Sequence, residues 1–81
     1  MAAKRKKVGV AFGAALRAAR REKRCTQEGL AERADYLPHY ISNIENGHQQ
    51  PSVSAVVAFE EALSLPPGDL VRRTRDLLKR R

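Results

Sequence analysis

The chain has 81 residues, enough for one small domain with no second core. An apolar share of 42% with 31% charged residues suits a folded chain rather than a disordered one; with no Trp and only Phe12, Phe59, Tyr36 and Tyr40 as aromatics, the core must be mainly aliphatic. The net charge of +7 points to an acidic partner, nucleic acid first, while a single Cys excludes a disulfide framework and a Cys-based zinc site, and no apolar run is long enough to span a membrane.

In chain order, the first feature is a run of cations. Residues 1–21 hold seven basic side chains and no acidic one, residues 22–69 three basic and eight acidic, and residues 70–81 six basic and one acidic. Lys4-Arg5-Lys6-Lys7 followed by Val8 to Leu16 imitates a secretory signal. The apolar stretch is only nine residues, however, and Arg17, Arg20 and Arg21 interrupt the segment beyond it. Residues 1–8 are therefore expected to form a flexible basic arm, and residues 9–81 a single domain.

Phe12, Leu16, Ala19 and Lys23 recur at i, i+4, i+7 and i+11, predicting an amphipathic helix over about 10–23. Thr26 can cap a second helix at 27–34, with Leu30, Ala31 and Ala34 inward. Gly29 stands where a capping box would place Glu or Gln, and costs about 1 kcal/mol relative to Ala. Asp35 falls at a sharp turn and tolerates the left-handed conformation. Pro38 suits the first turn of a third helix, which runs to about Asn46 and stops at Gly47. Ser52 caps a fourth helix ending near Ser64, with Val53, Val56, Phe59 or Glu60, and Leu63 inward. Pro67 opens a fifth helix over 67–79, with Leu70, Thr74, Leu77 and Leu78 on one stripe. No segment alternates with period two, so the expected fold is all-α with five short helices.

Functional content concentrates in QEGLAERADYLPHYISNIEN, Gln27 to Asn46. If its two helices cross steeply at the four-residue turn, Leu30, Ala31 and Ala34 face Ile41 and Ile44, and Ala31 must be small where the second helix passes over it. That is the packing logic of a helix-turn-helix. It leaves His39, Ser42, Asn43 and Asn46 on an open face of the third helix at i, i+3, i+4 and i+7. A face meant only for solvent favours Lys and Glu; short donors and acceptors suit base edges in a major groove.

The stretch from Phe12 to about Leu78 resembles the Cro/repressor-type (XRE family) helix-turn-helix domain of bacterial and phage regulators. Carrying the resemblance are Leu16-Arg17-x-x-Arg20, Thr26-Gln27-Glu28-x-Leu30-Ala31, Tyr40-Ile41-Ser42-x-Ile44-Glu45-x-Gly47 and Pro51-Ser52. It implies a compact five-helix, lambda-repressor-like domain that binds operator DNA as a dimer, in the cytoplasm on a bacterial or phage nucleoid, with no cofactor. It also implies base contacts from Pro38, His39, Ser42 and Asn43. Asn43 could pair with adenine N6 and N7, and Pro38 departs from the usual polar residue. Backbone contacts would fall to Gln27, Tyr40, Asn46, His48, Gln49 and Gln50. Arg20 and Glu45 match a structural ion pair joining the first helix to the third.

Residues 26–50 carry one basic and four acidic side chains, so phosphate attraction must come from elsewhere. Lys4, Arg5, Lys6, Lys7 and Arg17 are the expected source. Leu70, Thr74, Leu77 and Leu78 are the expected dimer surface, flanked by the basic residues of the last helix. Three departures from the family pattern stand out: Asp35 replaces a Gly, Leu37 a capping Ser or Thr, and Glu60 a small apolar residue. Glu60 is expected to line a partner surface or to tilt outward.

Enzymatic activity is not expected. Cys25, His39 and His48 are the obvious nucleophile and imidazole groups, and none pairs with a carboxylate at a motif spacing. Nor do they have metal-ligand spacing. Cys25 is expected as a small core residue. The rival functions are an antitoxin or a restriction–modification controller of the same fold, whose role includes a protein partner, and nonspecific nucleic-acid binding through the basic ends.

Overall fold

The longest dimension of the molecule, 33 Å, is close to the length of its first helix, about 31 Å at 1.5 Å per residue. The computed structural model describes residues 2–80 as five helices: α1 Ala2–Glu22, α2 Gln27–Ala34, α3 Pro38–Glu45, α4 Val53–Ala62 and α5 Asp69–Lys79. Met1, the first residue of the expected arm, and Arg81, the last of the expected domain, lie outside the described residues.

α1 begins well before the helix expected from periodicity. Lys4 to Val8 are turns of this helix rather than a flexible arm. Ala, Lys and Arg are strong helix formers, and this propensity outweighs the unfavourable placing of cations at a helix N-terminus. A further tie is Gln50, whose Nε2 donates to the Arg5 carbonyl at 2.7 Å. At the other end Lys23 is exposed beyond the last turn, so it does not continue the inward stripe of Phe12, Leu16 and Ala19.

The helix ends follow one pattern. After α1, α2, α3 and α4 the chain passes through a left-handed residue, respectively Arg24, Asp35, Gly47 and Ser64, with φ between 53° and 76°. In each case the next amide reaches back five residues to a carbonyl: Cys25 to Arg20, Tyr36 to Ala31, His48 to Asn43 and Leu65 to Glu60, all at 2.9 Å. These are Schellman closures, which satisfy carbonyls the helix cannot pair itself. Only one of the four uses glycine. At the helix starts, Thr26 Oγ1 accepts from Gly29 N at 2.9 Å and Ser52 Oγ from Ala55 N at 3.0 Å. Leu37, which precedes α3, supplies no side-chain cap, and Pro38 occupies the first turn.

The core gathers Phe12, Leu16, Leu30, Ile41, Ile44, Phe59, Leu63 and Leu70, with the small residues Ala19, Ala31 and Ala55 where helices approach closely. Tyr36 and Tyr40 stack with ring centroids 4.9 Å apart, and the Tyr36 ring meets Phe59 edge-on at 5.7 Å. α1 and α3 approach each other closely at Gly13. A Cβ there would lie 2.3 Å from the Ile44 carbonyl oxygen and 2.9 Å from that of Glu45. α1 therefore passes directly over the C-terminal end of α3.

Four expectations about α4 and α5 need correction. Val53 is 81% exposed, because the buried stripe of α4 runs through Ala55, Phe59 and Leu63. α4 ends at Ala62, short of the expected Ser64. α5 starts at Asp69, because Pro66-Pro67-Gly68 form a turn in which Asp69 N donates to the Pro66 carbonyl. Glu60 neither tilts outward nor lines a partner surface. Its buried carboxylate accepts from Gly68 N and Leu70 N, each at 3.0 Å. An anion at the N-terminus of α5 satisfies two amides the helix leaves unpaired and complements its dipole.

Candidate nucleic-acid interface

The inward side of α3 is fixed by hydrophobic contact and by one buried carboxylate. Ile41 and Ile44 are fully covered. Beside them the Glu45 side chain, with no exposed area, collects donors from two other helices. Arg20 grips it with Nε to Oε2 at 2.8 Å and Nη2 to Oε1 at 3.0 Å. Arg17 Nε reaches Oε1 at 3.2 Å and Gln27 Nε2 reaches it at 3.1 Å. Burial pushes the Glu45 carboxyl up, but the hydrogen bonds from Arg20 and Gln27 and the nearby guanidinium charge outweigh it, holding the group below the usual carboxylate value. The Arg20 guanidinium is raised in turn, chiefly by its bond to Glu45. Arg20 Nη1 also donates to the Cys25 carbonyl at 2.8 Å, tying the α1–α2 turn into the same network.

The outward side of α3 is uncovered. Pro38, His39 and Asn46 are exposed, and Ser42 and Asn43 are half-buried. None of them is packed in the core. Within this ridge Asn43 Nδ2 lies 3.3 Å from His39 Nε2, one turn away. Asn46 Nδ2 donates to Ser42 Oγ at 3.5 Å, and Asn46 Oδ1 accepts from Arg17 Nη2 at 3.1 Å. His48 and Gln49 follow on the exposed chain.

Several residues expected at the phosphate backbone make internal contacts in the chain by itself. Gln27 and Arg17 both serve Glu45, because a buried carboxylate with four acceptor positions recruits every donor in reach. Tyr40 stacks on Tyr36, and its hydroxyl oxygen accepts from Ser52 N at 3.3 Å. Gln50 is docked on α1. Lys4, Arg5, Lys6 and Lys7 are all exposed along the first turns of α1, and the Gln50 bond sets those turns beside the chain leaving α3.

Two of the four residues expected at a dimer surface are inside the molecule. Leu70 is fully buried and Thr74 nearly so, its Oγ1 donating to the Leu70 carbonyl at 2.7 Å; α5 lies chiefly against α1, and that contact consumes them. Leu77 is half-buried and Leu78 is 43% exposed; with Val10 and Ala14 they line an open groove between α1 and α5, edged by Lys6, Lys7 and Arg80. The start of α5 is anchored by charges. Buried Asp69 bonds both Arg72 and Arg73, and Arg73 continues to Glu22 through two contacts of 2.8 Å.

Gly13 and the capping role of Glu60 went unread in the sequence. The signal for the first was an isolated glycine inside a helical pattern. Among the described residues no group of His, Cys, Asp and Glu is arranged to hold a metal ion, and no helix is long and apolar enough to cross a membrane.

A short helix pinned by its inner face and bare on its outer one, crossing a capped partner helix, is the arrangement of a helix-turn-helix unit. Residues 11–74 match a family model described as a helix-turn-helix domain, and the chain belongs to that family, with the fold of its XRE-type DNA-binding transcription regulators. Two curated relatives agree. Multiprotein-bridging factor 1 of Candida albicans is 37% identical over 60 residues, 74% of this chain and 40% of the relative. The uncharacterized HTH-type transcriptional regulator y4dJ of Sinorhizobium fredii is 34% identical over 55 residues, 68% of this chain and 71% of the relative. The chain thus spans less than half the length of the first.

Among solved structures, the clp gene regulator ClgR from Corynebacterium glutamicum superposes with a TM-score of 0.83 at 30% identity, covering 88% of this chain and 76% of that one. The restriction-modification controller protein C.AhdI from Aeromonas hydrophila gives 0.74 at 31% identity, covering 76% and 94%.

Proposed function

We propose that the chain is a sequence-specific double-stranded DNA-binding repressor that lays α3 in the major groove and acts as a dimer. The observation that carries this reading is the uncovered polar ridge of α3, made of Pro38, His39, Ser42, Asn43 and Asn46 on a helix locked from behind through Glu45. The ridge supplies discrimination, and the four cations at the start of α1 supply attraction to phosphate. His48 and Gln49 lie at the edge of the same surface. Selection of bound duplexes from a random pool tests the reading. It should return a defined site, with half-sites about 34–36 Å apart if two copies bind. Equal affinity for random polyanions, unchanged when the α3 ridge is replaced by alanine, would overturn it.

Replacing Lys6 and Lys7 by alanine should weaken binding to all sequences alike. It should also flatten the dependence of log affinity on log salt by about 0.9 for each phosphate no longer neutralised. An unchanged slope removes these lysines from the phosphate-binding surface.

The second copy is proposed to sit on the α1–α5 groove, where Val10, Leu77 and Leu78 leave apolar surface open. Sedimentation of the protein and of Leu78→Asp checks this: a monomer in both removes the idea. A role as a restriction–modification controller stands as the second reading, favoured by the likeness to a solved protein of that description. A gene for a restriction enzyme beside this one would support it.

A further inference from the structure

Asn43 and His39 stand one helical turn apart on the open ridge, joined through Asn43 Nδ2 and His39 Nε2 at 3.3 Å. An amide nitrogen has hydrogens to give and no lone pair to receive with, so in this contact Asn43 Nδ2 is the donor and His39 Nε2 the acceptor. One Asn43 N–H is thereby spent inside α3. Its second N–H and Oδ1 remain, and among the described residues neither takes a further hydrogen bond. They leave one donor beside one acceptor on the outward edge.

That pair complements adenine, whose major-groove edge offers N7 as acceptor and the N6 amino group as donor. Guanine offers two acceptors there, and its O6 would confront Oδ1. The terminal torsion of an asparagine is broad, so an untethered amide can turn both N–H groups toward the two acceptors of guanine, whereas one already held by His39 cannot. We infer that His39 is a positioning residue: by holding one Asn43 N–H it fixes the amide orientation that selects adenine over guanine, and acts on the bases through Asn43. This rests on the reading of α3 as the helix that meets the bases.

The test uses the full chain and the duplex it selects from a random pool, with adenine then changed to guanine at each base pair in turn. Asn43→Ala should cut the preference at one base pair by about 5- to 150-fold, the range of a bidentate contact. His39→Leu, which removes the acceptor, should relax the same base pair by about 2- to 10-fold, the worth of one neutral hydrogen bond. His39→Gln, whose Oε1 can accept in place of Nε2, should restore most of that loss.

If His39→Leu relaxes a neighbouring base pair, or none, the positioning role is wrong, and failure of His39→Gln to restore the preference has the same meaning. A wild-type protein that selects no sequence overturns the underlying reading of α3 instead, an outcome distinct from all of these.

Discussion

The two faces of α3 are built on opposite terms. The inner face buries Ile41 and Ile44, sets Glu45 under Arg17, Arg20 and Gln27, and accepts the backbone of α1 at Gly13 without room for a methyl group. Among the described residues the side chains of the outer face bond locally, His39 to Asn43 and Ser42 to Asn46, and once to a distant partner, Arg17 to Asn46. The helix thus divides cleanly into a part that decides whether it is held and a part that decides what it meets. The division teaches that stability and recognition can be altered separately here, even by changes one or two residues apart.

The sharpest way to break this contrast is Glu45→Ala. It strips Arg20, whose side chain is only 11% exposed, of its carboxylate, and such a change typically costs about 3–5 kcal/mol. Chemical denaturation should show it, and the base preference of the remaining folded protein should stay as in the wild type. A cost below about 1 kcal/mol would mean the buried network holds α3 far less than its geometry implies.

Gly13→Ala comes next. A Cβ within van der Waals overlap of two α3 carbonyls forces the helices apart, and overpacking of this kind costs about 1–3 kcal/mol. Its fall in thermal midpoint should be accompanied by weaker DNA binding only as far as the ridge is displaced. Gly9, where an added Cβ would meet the flexible Gln50 side chain at 3.2 Å, is the mild control on the same helix.

On the outer face Asn43→Ala should leave stability within about 0.5 kcal/mol while removing discrimination at one base pair. A large fall in stability from this change would erase the distinction between the two faces.

The subtlest probe is pH. Because the folded Glu45 carboxyl is held below its ordinary value of 4.5, its contribution is present above the unfolded value and is lost as pH falls through the folded one. Thermal midpoints measured downward from pH 5 should therefore drop more steeply for the wild type than for Glu45→Gln. Parallel curves would take Glu45 out of the acid response.

The helix-turn-helix unit was readable residue by residue, since its signals are local. Thr26 caps, Asp35 turns left-handed, Pro38 starts a helix and Gly47 ends one, each within a few positions of the group it satisfies. The open ridge of α3 was legible for the same reason, as the complement of a buried periodic stripe.

What escaped reading depends on partners far along the chain. Gln27 and Arg17 look like free polar surface until α3 brings Glu45 between them, 18 and 28 residues away. Leu70 and Thr74 follow a periodicity that serves an intrachain core and a dimer seam equally well, and only the position of α1 decides between them. The basic start of α1 misled in another way, since clustered charge suggested an arm while the helix propensity of the same residues ruled.

The cap on α5 is borrowed: Glu60 belongs to α4, yet it terminates the amides of the helix beyond the Pro66-Pro67-Gly68 turn. A peptide cut out at that turn would lose its anchoring anion and, at eleven helical residues, fall below the length at which isolated helices persist in water. The final helix is therefore conditional on its predecessor, and the two should melt as one cooperative unit rather than fray in succession.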